Sequence, residues 1–309
     1  MLLVANGSVF TRNAQAPFIP NGAVAIDGDT IVEVGPECEL KVKYPDAEYV
    51  DAQGNLIMPG LINCHTHIYS GLARGLAIKG CNPTNFLENL EQQWWKIDDN
   101  LTLDGTKASA YATILDSIRD GVTTIFDHHA SFCEIPGSLF TIKDAAQELG
   151  MRSCLCYEVS DRRSQEKCDQ AIAENAEFAQ WAAKERRDND NHMIAAMPNV
   201  GWCEAMTMLF ENNAKMASKY FDRKLGVLEP GAAADVIVMD YKPFTPLSEE
   251  NIDGHMLFGM MGKNCRTTII NGRVLYKDRE FVGIDEDKIS AWAMAESKKL
   301  WSTLNDRAY

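Results

Sequence analysis

The fold of this protein is decided by the stretch MPGLINCHTH at residues 58–67. Its apolar first half indicates a buried strand, which we place at 59–68. His65 and His67 lie two residues apart, so a strand points both imidazoles to the same face. Two neutral imidazoles on one face are half of a zinc-type site. The alternative is a pair of hydrogen-bonded histidines at the end of a strand.

After this stretch, strands and helices alternate along the middle of the chain. Such alternation is typical of βαβ units around a parallel sheet. We predict the later strands at 122–126, 152–159 and 192–197. The predicted helices span 84–96, 102–119, 141–149, 163–186, 203–221 and 286–304.

The two ends of the chain have a different pattern, with short apolar runs separated by turn residues. Two such runs flank Asp27-Gly28-Asp29, and two more flank Asn271-Gly272, which predicts two β-hairpins. A lone hairpin is marginally stable in water. We therefore expect residues 1–56 and 225–283 to form one discontinuous β domain.

The charge of the chain argues against two classes of partner. Acidic residues outnumber basic ones by 44 to 30, for a net charge of -14, and no cluster of lysine or arginine stands out. A protein surface that binds nucleic acid needs a basic patch, and so does a protein surface that binds an anionic membrane. We therefore predict no nucleic-acid partner and no membrane partner.

Cysteine usage and the N-terminus indicate a reducing compartment. The nine cysteines are scattered, and no two of them have C-x-x-C spacing. This pattern fits neither a disulfide framework nor a zinc ribbon. The first residues, MLLVANGSVF, have no basic segment followed by a long apolar one, and no apolar run reaches 18 residues. We expect a cytoplasmic protein.

Four stretches, in order along the chain, resemble the amidohydrolase superfamily, in its aminohydrolase and chlorohydrolase (cytosine-deaminase-like) branch. PGLINCHTH at 59–67 is similar to the entry into the family's barrel, and LARG follows at 72–75. DGVTTI at 120–125 is similar to the second barrel strand. LEPG at 228–231 is similar to the return to the β domain, which ends in ING at 270–272.

This resemblance implies an α/β fold in which a β domain carries a (β/α) TIM-type barrel. We assign a partial barrel to 57–224, because a typical full barrel takes about 250 residues. The discontinuous β domain, at 1–56 and 225–283, is expected to be a β-sandwich. Residues 284–309 would form a C-terminal helix.

The resemblance also implies an activity, that of a metal-dependent hydrolase. The family's first-strand histidines bind a divalent metal, so His65 and His67 become the expected ligands of zinc, with iron as the alternative. The metal would activate a water that attacks a C–N or C–halogen bond of a purine, pyrimidine or triazine-like ring. We expect a small heterocyclic substrate and a homo-oligomer.

The family completes its metal site with ligands from later strands, and this sequence lacks them. Six histidines are present, and none lies in a fifth- or sixth-strand context. No catalytic acid or base can be assigned. One alternative is therefore an inactive or weakly metal-binding remnant of such an enzyme. Another is a dihydropyrimidinase relative, but that group carries a carboxylated lysine on the fourth strand, and 191–200 contains no lysine.

Other residues are candidates for substrate contacts. Asp127, His128 and His129 follow the second predicted strand, where barrel enzymes place site residues. Glu91 and Trp94 match the family's E-x-x-W pocket pattern in the first helix. The alternatives are polar loop groups that face water and a tryptophan in the helix core.

Overall fold

The computed structural model describes residues 1–197, 213–243, 245–248, 252, 255–256, 260 and 264–306. The strands are β1 (Leu2–Phe10), β2 (Phe18–Asp27), β3 (Thr30–Pro36), β4 (Glu48–Asp51), β5 (Leu56–Pro59), β6 (Leu61–Thr66), β7 (Val122–His129), β8 (Arg152–Tyr157), β9 (Ile194–Ala196), β10 (Val236–Met239), β11 (Cys265–Ile270), β12 (Arg273–Lys277) and β13 (Glu280–Phe281).

The helices are α1 (Glu37–Lys43), α2 (Phe86–Asn89), α3 (Trp95–Asp98), α4 (Leu103–Arg119), α5 (Ser138–Leu149), α6 (Gln165–Asn189), α7 (Asn213–Ala217) and α8 (Glu286–Asp306). A 3-10 turn covers Ile68–Ala73, and a π-helical turn covers Leu90–Trp94. The predicted helix at 203–221 lies partly outside the described residues.

The chain divides into two compact units. The first unit comprises Met1–Asn63, Ser117–Thr124 and Cys203–Gly283. The second unit comprises Cys64–Asp116, Ile125–Trp202 and Ile284–Tyr309. The predicted domain boundaries stay a prediction.

The first unit is built on a nine-stranded sheet in the order β13-β12-β11-β10-β5-β1-β2-β3, with β4 also paired to β1. Both ends of the chain therefore contribute to one sheet, as predicted. All nine strands belong to a single hydrogen-bonded sheet, and the expected sandwich stays a prediction. The branch arises at β1, whose first residues pair with β4 and whose later residues pair with β5. The core is aliphatic and includes Val4, Val9, Val24, Ile26, Ile57, Val236, Val238 and Ile269.

Both predicted hairpins are confirmed. Strands β2 and β3 pair antiparallel, and so do β11 and β12. Asn271 and Gly272 both have positive φ, 50° and 76°, as a two-residue type I′ turn requires. A Cβ at Gly272 would lie 1.7 Å from the carbonyl oxygen of Gly28, so no larger residue fits there without a shift.

The single strand predicted at 59–68 is wrong, because the chain changes sheet inside it. Strand β5 ends at Pro59 in the nine-stranded sheet, and β6 begins at Leu61 in another. Gly60 separates them, and a Cβ there would lie 2.2 Å from the Thr123 hydroxyl oxygen. A glycine is required at this position because the neighbouring strand approaches so closely.

The second sheet has four strands in the order β6-β7-β8-β9. Leu61 donates its N–H to the Gly121 carbonyl near the start of β6. Glu158 donates its N–H to the His129 carbonyl where β7 and β8 end. Neighbouring strands therefore run parallel, and β8 and β9 are parallel as well. Among the described strands, this sheet does not close into a barrel. A mixed α/β fold is established, and the partial barrel stays a prediction.

Helix α8, predicted at 286–304, packs within the second unit. Its Leu300 and Leu304 share an apolar cluster with Leu72 and Ile97. The Trp301 indole N–H donates to the Leu72 carbonyl at 2.9 Å. This contact holds α8 against the turn that follows β6. Of the helices described, none combines the length and the apolar character that a membrane span needs.

Candidate functional site

The two histidines of the decisive stretch lie at the carboxyl end of β6. His65 is in the strand, and His67 is the residue just before the 3-10 turn. Their ring centroids are 4.7 Å apart, and the rings are nearly perpendicular. Burial, together with the neighbouring His67, lowers the pKa of His65 below its usual value. The neutral form that binds metals is therefore favoured at His65.

The tautomer of His67 is set by a backbone contact. Its Nδ1 lies 2.9 Å from the carbonyl oxygen of His128. A carbonyl oxygen only accepts, so Nδ1 must carry the hydrogen and donate it. A neutral His67 then has its lone pair on Nε2. Histidines that bind metals usually donate their other ring N–H in this way.

The residues at the end of β7 divide between two faces. The hydrogen bond from Leu61 to Gly121 sets a register that places His67 beside His128. The two rings are 5.9 Å apart, so His128 lies on the face of the metal-ligand candidates. Side chains alternate along a strand, and Asp127 and His129 therefore point to the opposite face.

Asp127 is fully buried, and one of its oxygens is committed to the backbone. Its Oδ1 accepts the N–H of Ile68 at 2.6 Å. Its Oδ2 has no hydrogen-bond partner in the part of the chain that the structure describes. Burial raises the pKa of Asp127 to about 8, against the opposing effect of the bond from Ile68. The predicted role of Asp127 as a substrate contact stays a prediction.

His129 is also fully buried, inside a group of aromatic rings. Its Nε2 lies 3.0 Å from the Ser131 hydroxyl oxygen. Its ring centroid is 6.4 Å from that of Tyr69 and 5.6 Å from that of Tyr157. Burial, with smaller effects from the two other histidines nearby, lowers the pKa of His129 to about 3. His129 is therefore neutral at any ordinary pH.

Tyr69 and Trp94 form an aromatic wall beside the candidate ligands. The Tyr69 ring is 5.6 Å from His67 and 6.3 Å from Trp94, in edge contact with both. Trp94 is half-buried and ends the π-helical turn, which also carries the exposed Glu91. Turns of this kind are frequent at functional sites. Nothing in the sequence pattern distinguishes Tyr69 from other aromatic residues.

The sequence matches two family models. Residues 56–202 match the amidohydrolase family, and residues 22–47 match an imidazolonepropionase-like composite domain of bacteria. The amidohydrolase match covers slightly less than half of this chain, which is therefore similar to that family over its middle part. The amidohydrolase match contains the candidate ligands His65 and His67 and the strands β6 to β9.

Curated proteins to which this chain is similar include deaminases. The chain is 29% identical over 184 residues to a 5'-deoxyadenosine deaminase of Methanococcoides burtonii, covering 59% of this chain and 39% of the relative. It is 27% identical over 154 residues to a 5-methylthioadenosine/S-adenosylhomocysteine deaminase of Pelotomaculum thermopropionicum, covering 50% and 33%. The chain thus spans well under half the length of these relatives.

Solved structures share the fold at low identity. An atrazine chlorohydrolase from Arthrobacter aurescens, complexed with zinc, aligns with a TM-score of 0.68 and 17% identity, over 96% of this chain and 100% of that chain. An adenosine deaminase from Xanthomonas campestris with bound zinc aligns with a TM-score of 0.66 and 15% identity, over 97% and 98%. At such identities, the likeness establishes the fold alone.

Sequence reasoning missed an ion-pair centre at Arg162. Its guanidinium is 2.5 Å from the Asp98 carboxylate, pairs also with Glu158, and lies 3.9 Å from the centroid of the Phe132 ring. Asp98 lies in the segment after β6, Glu158 in the segment after β8 and Phe132 in the segment after β7. Arg162 therefore connects three segments that follow the carboxyl ends of the strands. Only the four-residue spacing of Glu158 and Arg162 is visible in the sequence.

The described residues bring together two candidate metal ligands, which is half of what a four-ligand site needs. His65 and His67 fit two ligand positions, but no three His, Cys, Asp or Glu side chains in those residues are placed to hold an ion. A catalytic zinc uses three protein ligands, and a structural one uses four. His192 bonds to Asp190, and His255 bonds to Tyr241, so both are engaged elsewhere. The stretch from Asn199 to Trp202, where the sequence passes from the fourth predicted strand directly to the next predicted helix, lies outside the described residues.

Proposed function

We propose that this chain is a metal-dependent hydrolase of the aminohydrolase type, built on a partial (β/α) barrel. The reaction is attack of water on a C–N bond, or a C–halogen bond, of a heterocyclic ring. The observation that carries the proposal is the perpendicular pair of imidazoles at the carboxyl end of β6. In parallel α/β folds, this end of the strands is where sites lie.

The substrate class is a purine, pyrimidine or triazine-like ring. Two kinds of support converge on it. The curated relatives are named as deaminases of adenosine derivatives, and one solved neighbour is named as a chlorohydrolase of atrazine. Tyr69 and Trp94, whose rings are nearly perpendicular, form an aromatic wall next to His67. Such a wall suits a planar ring, because aromatic rings gain free energy by stacking or edge contact.

The metal is zinc, with iron as the alternative, and His65 and His67 would hold it. When bound, such a metal lowers the pKa of its water and supplies a hydroxide nucleophile near neutral pH. The carbonyl of His128 orients His67 for this task by holding its Nδ1–H. The proposed substrate contacts are His128, whose ring is 5.9 Å from that of His67, and Trp94, which packs against Tyr69. Asp127, His129 and Glu91 remain candidates without an assigned role.

A second function is a remnant that binds metal weakly and does not turn over substrate. The observation that favours it is the absence, within the described ranges, of a third side chain able to join His65 and His67.

Self-association is a further part of the proposal. Phe86 and Leu87 support it, since their side chains are 75% and 55% exposed at the start of α2.

Metal content separates the two functions. The chain is purified from zinc-rich medium, and its metal is measured by elemental analysis beside a His65→Ala, His67→Ala double variant. We expect stoichiometric zinc in the native chain and none in the double variant, because both imidazoles are lost. His192→Ala is the matched control, since that histidine bonds to Asp190 instead.

Ammonia release from adenosine-type nucleosides then tests turnover. Stoichiometric metal with release supports the hydrolase, whereas a native chain that holds no metal supports the remnant. Metal that stays bound in the double variant would show that the ligand assignment is wrong. Light scattering of the same samples tests self-association, and a monomer at high concentration would contradict it.

A further inference from the structure

The turn that follows β6 is held by β7 at two adjacent residues. The imidazole of His67 donates from Nδ1 to the His128 carbonyl at 2.9 Å. The N–H of Ile68 donates to the Asp127 carboxyl at 2.6 Å. One contact fixes the ring of the candidate ligand, and the other fixes the backbone immediately after it.

Two hydroxyl groups complete the restraint of this turn. Ser70 donates to the His67 carbonyl at 2.8 Å, and Ser109 donates to the Ile68 carbonyl. The backbone of His67 and Ile68 therefore has three contacts from side chains, and the Ser70 N–H also donates to the His67 carbonyl at 3.1 Å. Of these, only the bond to Asp127 involves an ionisable group.

A buried carboxyl group at this place needs an explanation. Asp127 is fully buried, and the Ile68 amide is the one hydrogen-bond partner described for its carboxyl. Burial of a carboxyl group that is only partly satisfied costs free energy, and an apolar residue would fill the same space without that cost. The benefit must therefore lie in what the bond to Ile68 does.

We infer that Asp127 is a positioning residue for His67, acting through the backbone of Ile68 and not by touching the metal or the substrate. The inference rests on the proposed metal site. Asp127 thus positions His67 from the face of β7 that points away from the candidate ligands. By fixing where β6 ends, Asp127 determines the position from which the His67 ring reaches the His128 carbonyl.

The chemistry of the bond defines the test. Ile68 needs only an acceptor, so Asp127→Asn retains the contact through its amide oxygen. Asp127→Leu keeps the branched shape, with bulkier methyl groups in place of the oxygens, and has no acceptor. Asp127→Ala has neither the shape nor an acceptor. Metal affinity is measured for each variant by competition with a coloured zinc chelator. Hydrogen exchange of the Ile68 amide reports the contact itself.

We expect Asp127→Leu and Asp127→Ala to bind zinc about 10- to 100-fold more weakly, the usual effect of losing a residue that supports a ligand. Exchange of the Ile68 amide should accelerate in both variants. Asp127→Asn should remain close to the native chain in both measurements. If Asp127→Ala fails to fold, the comparison of Asp127→Leu with Asp127→Asn still tests the positioning role.

Glu174→Ala is the matched control. Glu174 is also buried and also accepts backbone N–H groups, from Gly137 at 2.7 Å and Leu139 at 2.8 Å. Those bonds hold the start of α5 and not the turn after β6. Its loss should lower stability and leave zinc affinity unchanged. A general loss of stability is thereby separated from an effect on the ligand.

Two outcomes would overturn the inference. One is native zinc affinity in Asp127→Leu, and the other is an Asn variant as weak as the Leu variant. A native chain that binds no zinc contradicts the proposed function. In that case, the positioning role is tested by the tautomer of His67, which is read from the ¹⁵N chemical shifts of its ring. A fall in the Nδ1–H form in Asp127→Leu but not in Asp127→Asn supports that role, and an unchanged tautomer refutes it.

Discussion

The two compact units bury different kinds of side chain. The nine-stranded sheet of the first unit has a core of aliphatic residues, and its buried polar groups are mostly threonines. The second unit buries ionisable groups around the four-stranded sheet: Asp98, Asp127, His129, Arg152, Glu174 and Glu296. Apolar burial stabilises a fold without further conditions, whereas a buried charge stabilises it only with a partner.

The first unit therefore has the features of a scaffold, whereas the second unit contains the groups that could take part in a reaction. In the first unit, stability depends on apolar area and on turn geometry. In the second, it depends on specific bonds among groups that could also serve a reaction, and some of these groups are incompletely satisfied. Incomplete satisfaction is typical of functional regions, where stability is sacrificed for chemistry. The following changes test the contrast.

The largest effect is expected at Arg162 in the second unit. Arg162→Met leaves the Asp98 carboxylate buried without its cation, which should lower the free energy of unfolding by about 3–5 kcal/mol. Arg163→Met is the control, because its pair with Asp99 is more exposed and should contribute about 0–1 kcal/mol. Urea unfolding measures both. Equal effects would mean that burial does not distinguish the two pairs.

The next effect is a dependence of stability on pH. The pKa of Asp127 is about 8 in the folded chain, against about 3.9 for an unperturbed aspartate. Between these values the unfolded chain releases a proton that the folded chain keeps, so the free energy of unfolding falls as pH rises. Asp127→Asn cannot titrate. Urea unfolding from pH 4.5 to 8 should therefore show a weaker decline in Asp127→Asn, and identical slopes would contradict the raised pKa.

The smallest effect is expected in the first unit, at a turn. Asn271 has a φ of 50°, which costs most non-glycine residues about 1–2 kcal/mol. Asn271→Ala should lose up to that amount, while Asn271→Gly should stay close to the native stability. Thermal unfolding distinguishes them. A neutral alanine variant would show that the turn does not limit the stability of the sheet, and zinc binding should not change in either variant.

Local signals were sufficient for much of the fold. Both hairpins follow from turn residues that tolerate positive φ, and the alternation of strands and helices predicted the parallel strands β7, β8 and β9. The break at Gly60 was not predictable, because the apolar pattern continues across it. Only the approach of Thr123, 63 positions further along the chain, shows why the strand must change sheet there.

The sequence by itself indicated the resemblance to the amidohydrolase superfamily and the candidate ligand pair, because His65 and His67 lie in one short motif whose spacing puts them on one face. The tertiary structure decided the rest of the site. It placed His128, not Asp127, beside the candidate ligands. It also showed that Tyr69 contacts Trp94 and that Arg162 pairs with Asp98 near the strand ends. These contacts join residues that are distant in sequence, and hydrophobic periodicity carries no information about which strand register or loop brings them together.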